Sequence, residues 1–365
     1  MPLDFFTLKK QFFFSLLVLT LLSISTYSLA EDEEEFKKIT VYNWSDYMPE
    51  GVLENFTMLT NIDVDYQTYD SNEEMYERIK NQEDGEVDVV IPSGYYISKM
   101  QREGLLRPLE LYRIHNFNQL DPSLLNRSYD WGNKYSLPYV WGSTGIAVNT
   151  AKIDPKLQVT SWSNLWDEQW RGRLMLTDDV RDVFHLGLIV NGYSTNSRDA
   201  FEIQDAAQSL SNLMPSVSAI VADSPHEALL DGRADIGMMW SGEALLAQKK
   251  NPMIQYIIPE EGPFFWTDNL AIPADSDNPA DAHQFIDFML SRRIAVRTLK
   301  ELGYATANTD AKLSSPAAVR NNPIIFPEAS LVISGDFQRD PGDQAIRLMN
   351  NIWQVLRKEM NDAVE

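Results

Sequence analysis

The sequence predicts an α/β fold in two lobes, on three observations. Strand-like and helix-like segments alternate along the chain, the pattern that builds largely parallel sheets with crossover helices. About 335 residues remain once an export segment at the start is set aside, more than one comfortable hydrophobic core holds. No internal repeat, low-complexity segment or long linker breaks the alternation, so passages between lobes must run through ordered segments.

The elements follow in order. Ile39–Trp44 alternates as a strand. Pro49–Thr60, with Val52, Leu53, Phe56 and Leu59 at helical spacing, follows as a helix. Ile62–Tyr69 is a second strand; Ser71 then caps a helix, with Glu74 completing a capping box. Val87–Pro92 is an apolar strand, and a helix through Ile97 and Met100 ends near Gly104. Leu174–Thr177 is a strand before a helix around 183–190. Ser224-Pro225-His226-Glu227 reads as a helix start with Ser as N-cap and Pro at the first helical position. Asp235–Trp240 is a strand, and Asn278-Pro279 opens a helix with Phe285, Phe288 and Met289 inward. Pro138 to Thr150 and Phe264 to Pro273 are strand-like with Gly or Pro near their ends, and are candidate passages between lobes.

The N-terminus reads as a secretory signal. Lys9 and Lys10 precede an apolar run from Phe12 to Leu22, and Ser28-Leu29-Ala30 ends a small-residue stretch, with the cut expected after Ala30. The run is short for a membrane anchor, and Glu31 to Glu35 reads as a solvated acidic tail. The chain contains no cysteine, which excludes disulfides, thiolate metal sites and a lipidated N-terminal Cys. An exported protein without that anchor is retained only behind a second membrane, so a bacterial periplasm is expected. Removing residues 1–30 takes away Lys9, Lys10 and Asp4, leaving 29 Lys and Arg against 52 Asp and Glu, a net charge of −23. So acidic a surface disfavours nucleic acid and anionic membrane and attracts cations.

The strand ends carry the chemistry. They offer Trp44-Ser45-Asp46-Tyr47, then Ser93-Gly94-Tyr95-Tyr96, then Thr177-Asp178-Asp179 with Asp182, then Trp240-Ser241-Gly242-Glu243; the second passage adds Phe265-Trp266-Thr267-Asp268. In open α/β sheets ligands bind beyond the carboxyl ends of the strands. Aromatic faces pack methylenes and attract cations, at about 0.5–2 kcal/mol per contact, and carboxylates pair with ammonium groups. Together they suit a linear chain of CH₂ groups carrying ammonium groups, a polyamine. A sugar would call for mixed amide, Arg and carboxylate partners, and an amino acid for an Arg or helix end to meet its carboxylate. Taken singly, Trp44 or Trp240 reads as a core indole, Asp46 or Asp179 as a helix cap, and Tyr95-Tyr96 as packing or an iron-binding pair.

Catalysis finds no support. Asp178 and Asp179 are neighbours that point oppositely on a strand. No GxSxG, HExxH, P-loop or GxGxxG context occurs, and His115, His185, His226 and His283 lack metal-ligand spacing. No enzyme activity, metal or cofactor is expected.

The stretches YNWSDYMPEG, TYDSNEEMYERI, DVVIPSGYYISKM, YSLPYVWGSTGIAVN, LTDDVRDVF, GMMWSGEA and FFWTDNLAIPA closely resemble the periplasmic spermidine/putrescine-binding proteins, the substrate-binding components of polyamine ABC importers. The resemblance spans essentially the whole mature chain. It implies a two-lobed periplasmic-binding-protein fold, type II-like, with strand crossovers and a ligand cleft between the lobes. Residues 38–145 plus 268–312 would form lobe 1, and 146–267 plus 313–365 lobe 2, after the signal peptide 1–30 and the tail 31–37. It implies aromatic walls from Trp44, Tyr47, Tyr95, Trp240 and Trp266, with Tyr304 near the cleft. Asp179, Asp182 and Asp268 match amine-binding acids, and Ser45, Asp46, Ser93 and Gln338 flanking polar positions. Asp182 stands where spermidine-preferring members carry Glu, and Ser45 where Thr is common. The shorter Asp182 would weaken one amine contact, admit a water or favour a different amine spacing, while the overall match leans toward spermidine. The implied partner of this monomer is a membrane ABC permease; the alternative is a membrane signalling receptor.

Overall fold

The computed structural model describes residues 37–82, 85–154 and 156–364. The expected signal peptide, its cut after Ala30 and the acidic run lie outside them. Strand β1 (Lys37–Trp44) alternates apolar residues as expected, burying Ile39 and Val41 completely. Gly51 (φ 66°) then turns the chain into α1 (Val52–Thr60). The helix starts three residues later than the sequence suggests, because a left-handed residue at Gly51 cannot continue it backward. Its Phe56 packs on Phe285 and Phe288 at ring distances of 5.1 and 5.3 Å.

Next come β2 (Ile62–Tyr69), α2 (Asn72–Asn81), a two-residue β3 (Val89–Val90) and α3 (Gly94–Arg102). Ser71 caps α2 by accepting from the Glu74 N–H at 3.2 Å. The reciprocal half of the expected capping box is shifted, because the Glu74 carboxylate takes the N–H of Asp70, one residue before the cap. The fourteen-residue β4 (Ser136–Asn149) is buried throughout. It is followed by β5 (Leu174–Thr177), α4 (Val180–Val190), α5 (Ala200–Leu213), β6 (Val217–Val221), α6 (His226–Leu230), β7 (Ile236–Trp240) and α7 (Ser241–Lys250). Ser224 does not cap α6. It sits at φ 47° with its hydroxyl donating to Asp46 at 3.4 Å and Asp223 at 3.2 Å, and Pro225 takes the N-cap position.

The chain closes with β8 (Ile254–Ile257), β9 (Phe264–Ala271), α8 (Pro279–Leu290), α9 (Arg292–Leu302), β10 (Ala305–Thr306), three short helices α10 (Thr309–Ser314), α11 (Ala317–Arg320) and α12 (Ala329–Ser334), then β11 (Asp336–Phe337) and α13 (Asp343–Val364). The sheet order is β2-β1-β3-β9-β4-β7-β5-β6, with β8 and β10 on β4 and β11 on β9. β1 with β3, and β5 with both β6 and β7, run parallel. The long β4 is antiparallel to β9 from Ser136–Ala271 to Thr144–Phe264, and to β7 at Thr144–Trp240.

Residues 38–365 make one body, but its buried apolar side chains fall into separate clusters. One holds Ile39, Phe56, Leu137, Val140, Leu270 and Phe285; another holds Ile146, Val148, Leu176, Phe184, Leu210 and Trp353. β4 therefore starts in one core and ends in the other. Ile325, Phe326 and Val332 belong to the first cluster and Met349 and Trp353 of α13 to the second, which puts a further passage at β11. Among the described residues no helix is long and apolar enough to cross a membrane.

Candidate functional site

Where these strands end, a cavity of about 280 Å³ opens. Of the residues that the sequence nominates, Trp44, Ser45, Asp46, Tyr47, Ser93, Asp179, Asp182, Trp240, Trp266, Asp268, Tyr304 and Gln338 line it. Tyr95 does not. It lies buried in the first turn of α3, its hydroxyl accepting from Asn72 Nδ2 at 3.2 Å and its ring 5.9 Å from the Arg181 guanidinium. Asn72 also bonds the Ser93 hydroxyl and backbone N–H, both at 3.1 Å, so this layer holds the wall behind Ser93.

Asp268 lines the cavity from β9. The β9 residue bridges to Ser93 at the end of β3; its Oδ1 accepts from Ser93 Oγ at 2.7 Å and its Oδ2 from the Tyr47 hydroxyl at 3.0 Å. Burial pushes its pKa up to about 7, against the pull of those two donors. Asp182, in the first turn of α4, accepts from the Trp240 indole N–H at 2.6 Å, from Thr144 and Thr177, and from Gln338 at 3.3 Å. Burial, and then the neighbouring Asp179, hold its pKa well above the ordinary value.

Asp179 is both a cavity residue and the N-cap of α4, accepting from the N–H groups of Arg181 at 2.7 Å and Asp182 at 2.9 Å. Burial raises its pKa as well; the helix N–H groups and Arg181 pull the other way. Arg181 is 2 % exposed and spends its donors on neutral acceptors, among them Asn196 Oδ1 at 3.1 Å. Asp178 also lines the cavity, but its carboxylate is taken by Trp353 and Arg357 of α13, both at 3.0 Å.

The walls are aromatic and touch one another. Trp44 lies 4.7 Å from Tyr69 and 6.2 Å from Tyr47; Tyr304 lies 5.6 Å from Tyr47 and 5.1 Å from Trp266. The Trp44 indole N–H donates to Ile91 O at 2.9 Å, which holds its ring at the β1 end. Asp46 (φ 57°) caps no helix, and Ser45 Oγ donates to Asp70 Oδ1 at 2.7 Å.

Sequence reasoning did not nominate Tyr69, Asp70, Asp223, His226, Glu243 or Glu301, which also line the cavity. Tyr69-Asp70 follows β2 and was open to the same strand-end argument. Asp223 follows β6, whose five residues carry only a weak strand pattern. Among the described residues, nine carboxylates line the cavity and no Lys or Arg does. Burial raises the pKa of four of them, Asp179, Asp182, Asp223 and Asp268, so the cavity favours a ligand that brings positive charge. Among the described residues no group of acids and histidines is placed to hold a metal ion.

Comparison with known proteins agrees with this geometry. The family model of bacterial extracellular solute-binding proteins matches residues 51–327. The spermidine/putrescine-binding periplasmic protein of Salmonella typhimurium is 43% identical over 317 residues, covering 87% of this chain and 90% of the relative. The crystal structure of the substrate-binding protein PotD of a spermidine/putrescine ABC transporter from Streptococcus pneumoniae superposes with a TM-score of 0.75 at 34% identity, covering 89% of this chain and 99% of that one. A spermidine/putrescine ABC-transporter structure from Listeria monocytogenes reaches a TM-score of 0.84, also at 34% identity, over 88% and 99%. With its α/β sheets, strand-end cavity and whole-length matches, the chain belongs to the bacterial extracellular solute-binding proteins, and stands among the relatives described as spermidine/putrescine-binding periplasmic proteins.

Proposed function

We propose that this protein is an exported, periplasmic receptor that holds a polyamine in its strand-end cleft and hands it to a membrane ABC permease. The observation that carries the reading is the cavity's lining, which among the described residues has nine carboxylates, aromatic walls and no Lys or Arg. Trp44, Tyr47, Trp240, Trp266 and Tyr304 pack the methylene chain; Tyr95 supports the wall from behind. Asp179, Asp182 and Asp268 accept ammonium groups, with Ser45, Asp46, Ser93 and Gln338 as polar neighbours. No bond is made or broken, so the protein acts as a binder, as a monomer, and not as an enzyme. The signal peptide is cut after Ala30.

The ligand bridges two lobes whose boundaries fall near residues 145 and 267, with the last passage at β11 rather than at 312, on the packing of Ile325, Phe326 and Val332. Binding selects the closed form through contacts made from both sides. The similarity to transport proteins supports delivery to a permease over partnership with a signalling receptor. Calorimetric titration with spermidine and putrescine tests the reading. Saturable one-to-one binding of at least one is expected; no binding of either contradicts it.

A further inference from the structure

We propose that Lys99 and Arg102 of α3, paired with Asp340 and Asp343 where α13 begins, form an ionic latch between the lobes that sets how tightly the cleft holds its ligand without touching it. This rests on the two-lobed polyamine reading above and extends it to residues outside the cavity. The sequence Asp340-Pro341-Gly342-Asp343 puts a carboxylate on each side of a Pro-Gly turn, just after β11. Gly342 takes φ 81°, a backbone conformation that favours glycine, and its N–H donates to Asp340 Oδ1 at 2.8 Å. Arg198 holds the same turn by donating to Asp340 O at 2.6 Å. Lys99 and Arg102 stand three residues apart on one face of α3, and Met100 between them is fully buried.

The two sides belong to different cores. Ile97 and Met100 of α3 cluster with Tyr76 of α2, whereas Met349 and Trp353 of α13 cluster with Phe184 and Leu210. Lys99 is positioned by its own side before it reaches across. Its Nζ lies 4.4 Å from the centre of the Tyr76 ring and 3.0 Å from Glu103, whose carboxylate also accepts from the Tyr76 hydroxyl. From there Lys99 meets Asp343 at 3.1 Å, while Arg102 pairs with Asp340 and lies 3.5 Å from Asp343. The hydrogen bond from Lys99 holds the Asp343 carboxyl below its ordinary pKa. Because each partner is already held by its own side, little side-chain freedom is lost when they meet, which is the usual drain on an exposed pair. Ser224 also meets Asp46 across the cavity mouth at 3.4 Å, so the pairs belong to the closed form. Swinging the lobes apart about β11 would draw α3 from the turn and separate them. The latch thus raises the closed fraction, and the apparent affinity for any ligand of the closed cleft rises in proportion.

The double variant Lys99→Gln/Arg102→Gln tests this by calorimetry and stopped-flow fluorescence with spermidine and putrescine. Both affinities are expected to fall by about three- to tenfold, the sum of a few partly exposed ion pairs, chiefly through faster dissociation. The melting temperature of the empty protein should stay nearly unchanged. The sign is diagnostic, because removing two cations from so acidic a chain would by field alone strengthen amine binding. At about 1 M salt, which screens the pairs, variant and native affinities should converge. Lys99→Arg/Arg102→Lys, which keeps both charges, should bind nearly as the native chain does. An unchanged or higher affinity, a loss confined to one amine, or a loss that persists in full at high salt would overturn the latch and leave the polyamine reading intact. Failure of the native protein to bind either amine would overturn both.

Discussion

At the scale of single residues, burial disfavours the anions of Asp179, Asp182, Asp223 and Asp268 in the cavity. Asp268 shows the consequence. Its pKa of about 7 in the empty protein lies above the ordinary 3.8, so the folded empty state holds a proton that the unfolded chain has already lost. Between those two values a rise in pH therefore removes stability from the empty protein, and the loss is complete above about pH 7. For the complex the sign reverses, because an ammonium group favours the ionised acid. Polyamine binding should release protons near neutral pH, seen as a dependence of the binding heat on the ionisation enthalpy of the buffer. Asp268→Asn removes that ionisable partner and should weaken spermidine binding by about tenfold or more, with the proton release reduced. Trp240 divides into two roles. Its ring is a wall and its N–H holds Asp182 at 2.6 Å. Trp240→Phe keeps a wall and loses the donor, so it should cost less affinity than Trp240→Ala, as measured by intrinsic fluorescence or calorimetry.

At the scale of elements, α4 shows one side chain serving fold and site together. Asp179 satisfies two orphan N–H groups at the helix start and also faces the cavity. Asn caps a helix about as well as Asp, whereas Ala costs about 1 kcal/mol. Asp179→Asn should therefore leave the melting temperature of the empty protein nearly unchanged yet weaken binding, while Asp179→Ala lowers both. If Asp179→Asn binds spermidine as the native chain does, the residue is only a cap. The reading of Asp179 as a cap and its reading as a ligand for an amine were both legible, and the helix geometry makes them compatible. The cap expected at Ser224 was not formed, because a left-handed backbone at that residue turns its hydroxyl toward Asp46. Strand β3 shrank to two residues for a different reason: pairing with β1 and β9 is brief there, and the rest of Val87–Pro92 packs without a ladder.

At the scale of the whole molecule, most of the cavity lining was legible because it depends on a local rule, that strand ends open into the cavity. Trp44, Asp182, Trp240 and Asp268 each follow from that rule and the resemblance together. Tyr95 departs from the cavity because successive side chains at the start of α3 diverge, and burial against Asn72 wins over the cleft. Glu243 and His226 were harder to find, since they meet only through tertiary packing of α6 on α7. The candidate passages at β4 and β9 were visible as apolar strands; a third was expected at 312/313 from the resemblance alone, since the α10–α12 segment has too little periodicity to mark one. Ion pairs also join distant segments: Lys99 of α3 meets Asp343 of α13 at 3.1 Å, and Arg102 pairs with Asp340. They are partly exposed, so each contributes about 1 kcal/mol or less, and Lys99→Ala should shift the melting temperature little at physiological salt. Ligand should contribute more. At about 100 times its Kd, spermidine stabilises the native state by about 2.7 kcal/mol through mass action, a shift readable by scanning calorimetry.

The central claim is that Asp179, Asp182 and Asp268, whose pKa values burial raises, bind the ammonium groups of a polyamine between aromatic walls. Its most direct test is the spermidine affinity measured by calorimetry from about pH 8 down to about pH 6, across the Asp268 value near 7. The account predicts saturable one-to-one binding that weakens as pH falls through that range. No saturable binding, or an affinity that stays constant or rises on acidification, would contradict it.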